Sequence, residues 1–363
     1  MKEALVVLAG ACLALLVACE RPPMETEQQG YRGVAMESVK NPRLVGPVVA
    51  ANRIPDPIPP AQPGTPPASE IFQNLEVLGH LESAEFARIM AAITSWVSPQ
   101  QGCNYCHAGG DFAAEGPYTK HVARRMIEMT LEINRDWKEH VGSTGVTCYT
   151  CHRGMPVPAN YWHAPADGGG SPGIVGNKAG QNAPARQVGL TSLPSDPFTP
   201  YLLGPRNARV QSSQALPASN RHSIKQTEWT YGFMMHISTS LGVNCTYCHN
   251  SRAFSPWEAS SPPRVTAWQG IQMARHLNQS YLEPLAEVFP DHRKGPEGDV
   301  FKVNCATCHQ GVAKPLMGVS MLQDYPELAS QSHPVTVPEI LARVETERPT
   351  ADGLANGPAG GLD

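Results

Sequence analysis

The chain has 363 residues, with 28 Lys and Arg against 32 Asp and Glu, and its net charge of −4 excludes the strongly basic surface of a nucleic-acid binder. Its 35 Pro and 32 Gly make up about 18% of the residues, against about 12% in an average protein. That excess argues for long irregular connections rather than a compact α/β enzyme, and apolar runs stop short of the ~18 residues that would plainly cross a bilayer.

Lys2 precedes an apolar stretch from Ala4 to Ala18, the length of a signal-peptide core, that ends Leu16-Val17-Ala18-Cys19. Residues 1–18 are therefore expected to be an export signal. A Cys directly after Leu-x-Ala resembles the bacterial lipobox, in which the thiol is acylated and the chain is cut just before it. The resemblance implies a mature chain anchored through lipidated Cys19, with more than one acyl chain needed for stable attachment. A plain export signal or a short retained membrane helix is the alternative. Residues 19–69 hold Pro55, Pro57, Pro59, Pro60, Pro63, Pro66 and Pro67 and read as extended chain, lying on a surface or reaching a partner.

Residues 70–155 alternate helical pattern with cysteine motifs. Phe86, Met90, Ile93 and Val97 fall on one helical face ahead of Cys103-Asn-Tyr-Cys106-His107. Val122, Met126, Met129, Ile133, Trp137 and His140 form a second stripe ahead of Cys148-Tyr-Thr-Cys151-His152. Residues 156–222 turn to Gly, Pro, Ser and Asn and read as a connector without a core of its own. Residues 223–333 repeat the earlier order, with Met234 ahead of Cys245-Thr-Tyr-Cys248-His249 and Met273 ahead of Cys305-Ala-Thr-Cys308-His309. The tail, 334–363, is of low complexity. Met90 matches Met234, Met129 matches Met273 and Asn134 matches Asn278, so an internal repeat of helix, turn and motif is expected. The fold class is thus mostly α: a multihaem cytochrome c with two pseudo-repeated dihaem segments and long irregular connections.

The motifs specify the chemistry. Eight of ten cysteines stand in four CxxC pairs, and a His follows each pair at once, which is the pattern of c-type haem attachment. Two thiols three residues apart on a turn add across the two vinyl groups of haem, and the next residue presents an imidazole to the iron. Zinc sites have no need of His after every second Cys, and a redox dithiol has no need of four copies. Four covalent haem c groups are expected, held by Cys103 and Cys106, Cys148 and Cys151, Cys245 and Cys248, and Cys305 and Cys308. His107, His152, His249 and His309 are the expected axial ligands on one side.

The opposite axial position separates electron transfer from open-site chemistry. Met90 lies on the apolar face before the first motif. Met126 and Met129 are both candidates for the second. Met234 shares a face with Ile237 and Leu241, whereas Met235 shares its own with Ser238, Thr239 and Gly242, so Met234 is the better candidate for the third. For the fourth, alignment on Asn134 and Asn278 sets Gly270 opposite Met126. If Met126 is the ligand of the second haem, some other side chain must come in at the fourth, and His140 competes for that place with Met273, His276 and His236.

Several stretches resemble the tetrahaem cytochrome subunit of purple-bacterial photosynthetic reaction centres. They are Phe86 to Gln100, Val122-Ala-Arg-Arg-Met126, Gly145 to Gly154, Leu241-Gly-Val-Asn-Cys245, Cys308 to Leu316 and Asp324-Tyr-Pro-Glu-Leu328. The likeness covers most of residues 70–155 and 228–328; it is weak in the connector and absent in the tail. It implies Met90, Met126, Met234 and His140 as the sixth ligands of the first to fourth haems. It further implies an electron relay rather than an enzyme, lipid-anchored on the periplasmic face of the photosynthetic membrane. A soluble cytochrome c or high-potential iron-sulfur protein would donate to it. It would re-reduce the bacteriochlorophyll special pair held by the reaction-centre L and M subunits, beside the light-harvesting complex.

Overall fold

The computed structural model describes residues 23–165, 185–209 and 224–329. The export segment with Cys19, most of the Gly-rich connector and the tail lie outside the described residues. The chain starts with an antiparallel hairpin, β1 (Glu25–Gln29) and β2 (Met36–Lys40), in the register Glu25 opposite Lys40 and Gln29 opposite Met36. Helix α1 (Pro42–Ala51) follows, started by Asn41, whose side chain accepts from the Arg43 amide, with Pro42 in the first turn where its missing N–H costs nothing. The stretch that proline content marks as extended is therefore structured over 25–51 and extended over 53–67. That extended part lies on the protein's own body: the Ile58 amide donates to Tyr325 Oη at 2.9 Å, and Arg88 Nε donates to the Ile58 carbonyl at 2.9 Å.

Helix α2 (Ser83–Val97) presents two apolar faces. Ile89, Ala92 and Trp96 are buried in a protein core with Leu316, Met321, Tyr325 and Leu328, where the Trp96 and Tyr325 rings meet edge-on at 4.7 Å. Phe86, Met90, Ile93 and Val97, the stripe legible in the sequence, pack against the edge of that core and line a large cavity. The helix ends at Ser98, ahead of Pro99, which disfavours helical backbone in the residue before it. Helix α3 (Tyr118–Asp136) and the short α4 (Lys138–Val141) follow, and Gly142 ends α4 at φ 59°, a left-handed conformation open to glycine. The turn α5 (Cys148–His152) closes this half.

A two-residue strand, β3 (Tyr161–Trp162), crosses to the second half. There α6 (Ile224–Leu241) and α7 (Pro263–Leu277) build a second core in which Phe233, Ile237 and Leu241 pack with Phe198, Tyr201 and Trp162. Strand β4 (Lys302–Val303) pairs antiparallel with β3, and the turn α8 (Cys305–His309) follows at once. A third cluster, Ile133, Met273, Leu277 and Tyr281, joins α3 to α7. Among the described residues helices and helical turns outweigh strand, which is confined to two small two-stranded sheets.

Two buried asparagines hold corresponding places. Asn134 Nδ2 donates to the Val146 carbonyl at 2.8 Å and its Oδ1 accepts from the Val146 amide at 2.8 Å. Asn278 forms the same pair of bonds with Val303, at 3.0 and 2.8 Å. Each valine lies two residues before the first cysteine of a motif, so each amide fixes the approach of the chain to that motif.

Candidate haem sites

Each CxxCH motif is wound into one turn, by two different means. In the first, a 3₁₀ turn (Gly102–Tyr105), the amides of Cys106 and His107 both donate to the Cys103 carbonyl, at 3.1 and 3.0 Å. The third (Cys245–Tyr247) does the same, with Cys248 and His249 donating to the Cys245 carbonyl at 3.3 and 2.9 Å. The second and fourth are the α-turns α5 and α8. Thr150 Oγ1 accepts from the Thr147 amide at 3.0 Å, and Thr307 Oγ1 accepts from the Asn304 amide at 2.9 Å. Arg153 and Gln310 then leave the turn at φ 50° and 47°. The next amides, of Gly154 and Gly311, donate to the carbonyls of Trp96 and Ser240 near the ends of α2 and α6, at 2.8 and 2.7 Å.

Three of the four motif histidines are held by backbone. Nδ1 of His152 meets the Met155 carbonyl at 2.9 Å, that of His249 the Phe254 carbonyl at 2.8 Å, and that of His309 the Val312 carbonyl at 3.0 Å. A carbonyl only accepts, so Nδ1 carries the proton and Nε2 is left with the lone pair a metal needs. His107 packs its ring on Phe112 at 4.9 Å. Burial lowers the basicity of all four rings, that of His309 to about 4 with His140 close by, which favours the neutral, ligating form. Burial also pushes the thiols of Cys106, Cys148 and Cys248 up to about 11 and that of Cys305 to about 12, so they stay protonated.

The first, second and fourth motifs share one cavity of about 960 Å³ between the two halves. Met90, Met126, Met129 and His140 all line it, as do Met273 and Gly270. Met234 and the cysteines and histidine of the third motif do not, and of that motif only Tyr247 reaches it; Met234 packs beside Phe233, Ile237 and Leu241. Met235 points its methyl towards Gly189, away from that cluster. Among the competing histidines, His276 turns Nε2 to the Glu132 carboxylate, and His236 brings Nε2 to 3.2 Å from Ser240 Oγ with its ring edge-on to Phe198. His140 donates Nδ1 to the Thr266 carbonyl at 2.8 Å, and its ring centroid stands 6.0 Å from that of His309.

The wall is largely apolar but carries cations. Buried Lys120 donates to the carbonyls of Phe112, Ala113 and Ala114 at 3.1, 3.1 and 2.6 Å, and buried Lys302 pairs with Asp299 and, at 3.1 Å, with Glu283. An apolar cavity with thiol pairs, neutral imidazoles and peripheral cations fits flat apolar macrocycles that bear carboxylates. Sequence reasoning missed how the third motif is held. Thr246, fully buried, donates from Oγ1 to the Gln29 carbonyl at 2.9 Å and accepts from the Met36 amide at 2.8 Å, which seats the β1–β2 hairpin on the motif. A Cβ at Gly30 would stand 2.1 Å from the Thr246 carbonyl, so only glycine allows this approach. The sole sequence signal for it was a polar residue between two haem cysteines.

The pattern of the photosynthetic reaction centre cytochrome c subunit family matches residues 20–329. The photosynthetic reaction center cytochrome c subunit of Rubrivivax gelatinosus is 51% identical over 322 residues, 88% of either chain. That of Thermochromatium tepidum is 50% identical over 314 residues, 86% of this chain and 77% of its own. That of Roseobacter denitrificans is 41% identical over 282 residues, 74% of this chain and 75% of its own. The chain thus belongs to the photosynthetic reaction centre cytochrome c subunit family, as a membrane-associated electron-transfer subunit with covalently bound haem c that donates electrons to the reaction centre and is not itself an enzyme.

Proposed function

We propose that the subunit holds four haems, one on each CxxCH motif, and relays electrons from a soluble periplasmic carrier to the photo-oxidised bacteriochlorophyll special pair between the L and M subunits. The observation that carries this reading is the convergence of three motifs, Met90, Met126 and His140 on one cavity, with His140 facing His309. When bound, each haem supplies a one-electron iron couple. The chain's part is to hold those couples still and unlike one another.

Cys103 and Cys106, Cys148 and Cys151, Cys245 and Cys248, and Cys305 and Cys308 are proposed as the thioether attachments, and His107, His152, His249 and His309 as the first axial ligands. Met90, Met126 and Met234 complete the first three sites. Met129 lines the cavity as Met126 does, and the family resemblance favours Met126. His140 completes the fourth, its Nε2 left available by the bond from Nδ1 to Thr266 while those of His276 and His236 are engaged elsewhere. Thioether ligation raises a potential relative to bis-imidazole ligation, so one site differs from the other three. The matching bonds of Asn134 and Asn278, and of Gly154 and Gly311, support two repeated dihaem segments within 70–155 and 223–333.

The carrier is proposed to be a soluble cytochrome c or a high-potential iron-sulfur protein, and the light-harvesting complex a neighbour of the docked subunit. Among the described residues no helix is long and apolar enough to cross a membrane. Attachment to the periplasmic face is proposed through lipidated Cys19, six residues before β1. Intact mass and haem absorbance of the purified subunit test the assignment. Four haem equivalents with a diacylated N-terminal Cys19 are expected; fewer than four, or an unmodified Cys19, contradicts it.

A further inference from the structure

Gly270 lies in the middle of α7, where glycine is the poorest helix former after proline. No left-handed backbone angle explains it, since Gly270 is not among the positive-φ glycines. Space explains it. A Cβ built at this position would stand 2.4 Å from His140 Cε1, 2.8 Å from Nδ1 and 3.0 Å from Nε2. Nor does the His140 ring have freedom to step aside. Its Nδ1 is fixed to the Thr266 carbonyl at 2.8 Å, one turn earlier on the same helix, and it is carried by α4, which ends at Gly142. One turn of α7 therefore makes the room and supplies the orienting acceptor. Met126 of α3 reaches into the same cavity with a side chain where Gly270 of α7 has none.

We propose that Gly270 is the positioning residue that decides the sixth ligand of the fourth haem: the missing side chain admits the His140 ring opposite His309. A side chain at 270 excludes the ring, and a thioether there takes its place. This inference rests on the four-haem reading above, and within it explains why one haem differs from three built on similar helices. The device is a deletion on one helix matched by a histidine lent from the other half of the molecule.

The test is electron paramagnetic resonance and potentiometric titration of the full-length subunit in photosynthetic membranes, for wild type, Gly270→Ala, Gly270→Met and His140→Ala. Gly270→Ala is expected to lose the bis-histidine signal of one haem while the other three signals stay. Gly270→Met is expected to replace that signal with a histidine–methionine one, with its sulfur-to-iron charge-transfer band, and to move that single midpoint upward. If both variants keep every wild-type signal and midpoint, the inference is overturned. His140→Ala separates the two levels, because an unchanged spectrum there removes the ligand reading itself rather than the role of Gly270. Where Gly270→Ala fails to accumulate, the double variant His140→Ala/Gly270→Ala decides. Recovery of the subunit by relief of the clash supports the inference, and no recovery overturns it.

Discussion

The second and fourth motifs and the first and third solve one problem in two ways. Both pairs set thiols three residues apart with a histidine next. The second and fourth do so on threonine-braced α-turns whose exits are bonded to the ends of α2 and α6. The first and third use 3₁₀ turns held by one carbonyl each, with Cys103 exposed where Cys148 is buried. Arg153 ties the inner two together, donating from Nη2 to the Cys308 carbonyl at 3.0 Å. Identical motif spacing thus serves two structural roles. The inner turns join the halves, while the outer turns depend on neighbouring segments such as the hairpin on Thr246.

The comparison breaks most visibly if one motif of each kind is removed. Cys148→Ala or Cys305→Ala is expected to abolish accumulation of the subunit, whereas Cys103→Ala leaves a stable protein short of one haem. Immunoblotting and haem staining of membranes distinguish the two, and equal losses contradict the inner and outer roles. A smaller effect comes from the approach to the inner turns. Asn134→Ala strands the Val146 amide and carbonyl, at about 3 kcal/mol of unfolding free energy, and Asn278→Ala strands the Val303 amide, at about 1–3 kcal/mol, since the Val303 carbonyl still accepts from Trp162 Nε1 at 3.0 Å. Denaturant titration measures it, and a loss under about 1 kcal/mol at both positions removes these amides from the account.

Thr246→Val keeps the shape of the side chain and deletes both of its bonds to the hairpin. A local cost of about 1–2 kcal/mol is expected, seen as faster proteolysis between residues 30 and 36, with the inner turns unaffected. The smallest effect concerns pH. Burial alone would raise the Asp299 carboxyl, but the hydrogen bond from Lys302, with the Ala164 amide, holds it below the ordinary range. A depressed acid contributes stability above its unfolded value of about 3.9 and loses it as pH falls through the folded value. Asp299→Asn is therefore expected to lower stability near neutral pH and to flatten its decline in acid, as thermal melts at stepped pH would show. An unchanged acid limb contradicts it.

Covalent binding of haem c was legible, because CxxCH carries thiols and imidazole within five consecutive residues. The helices ahead of the motifs were half legible. Phe86, Met90, Ile93 and Val97 showed a face but not that it faces a cavity, since α2 buries a second face through Ile89, Ala92 and Trp96. The hairpin was illegible. Its strands, Glu-Thr-Glu-Gln-Gln and Met-Glu-Ser-Val-Lys, are mostly exposed and lack apolar alternation, and their partner Thr246 lies over two hundred residues away. The room taken by the His140 ring was legible only as a gap, because Gly270 opposite Met126 signals a missing side chain without showing what fills the space.

The most direct test of the relay is a redox titration of the membrane complex with a flash at each potential step, following the haem α-bands. The account predicts four haem components at unequal potentials, and flash-induced haem oxidation that disappears as the reduced haems are titrated out. A flash that oxidises no haem in the intact complex would contradict it.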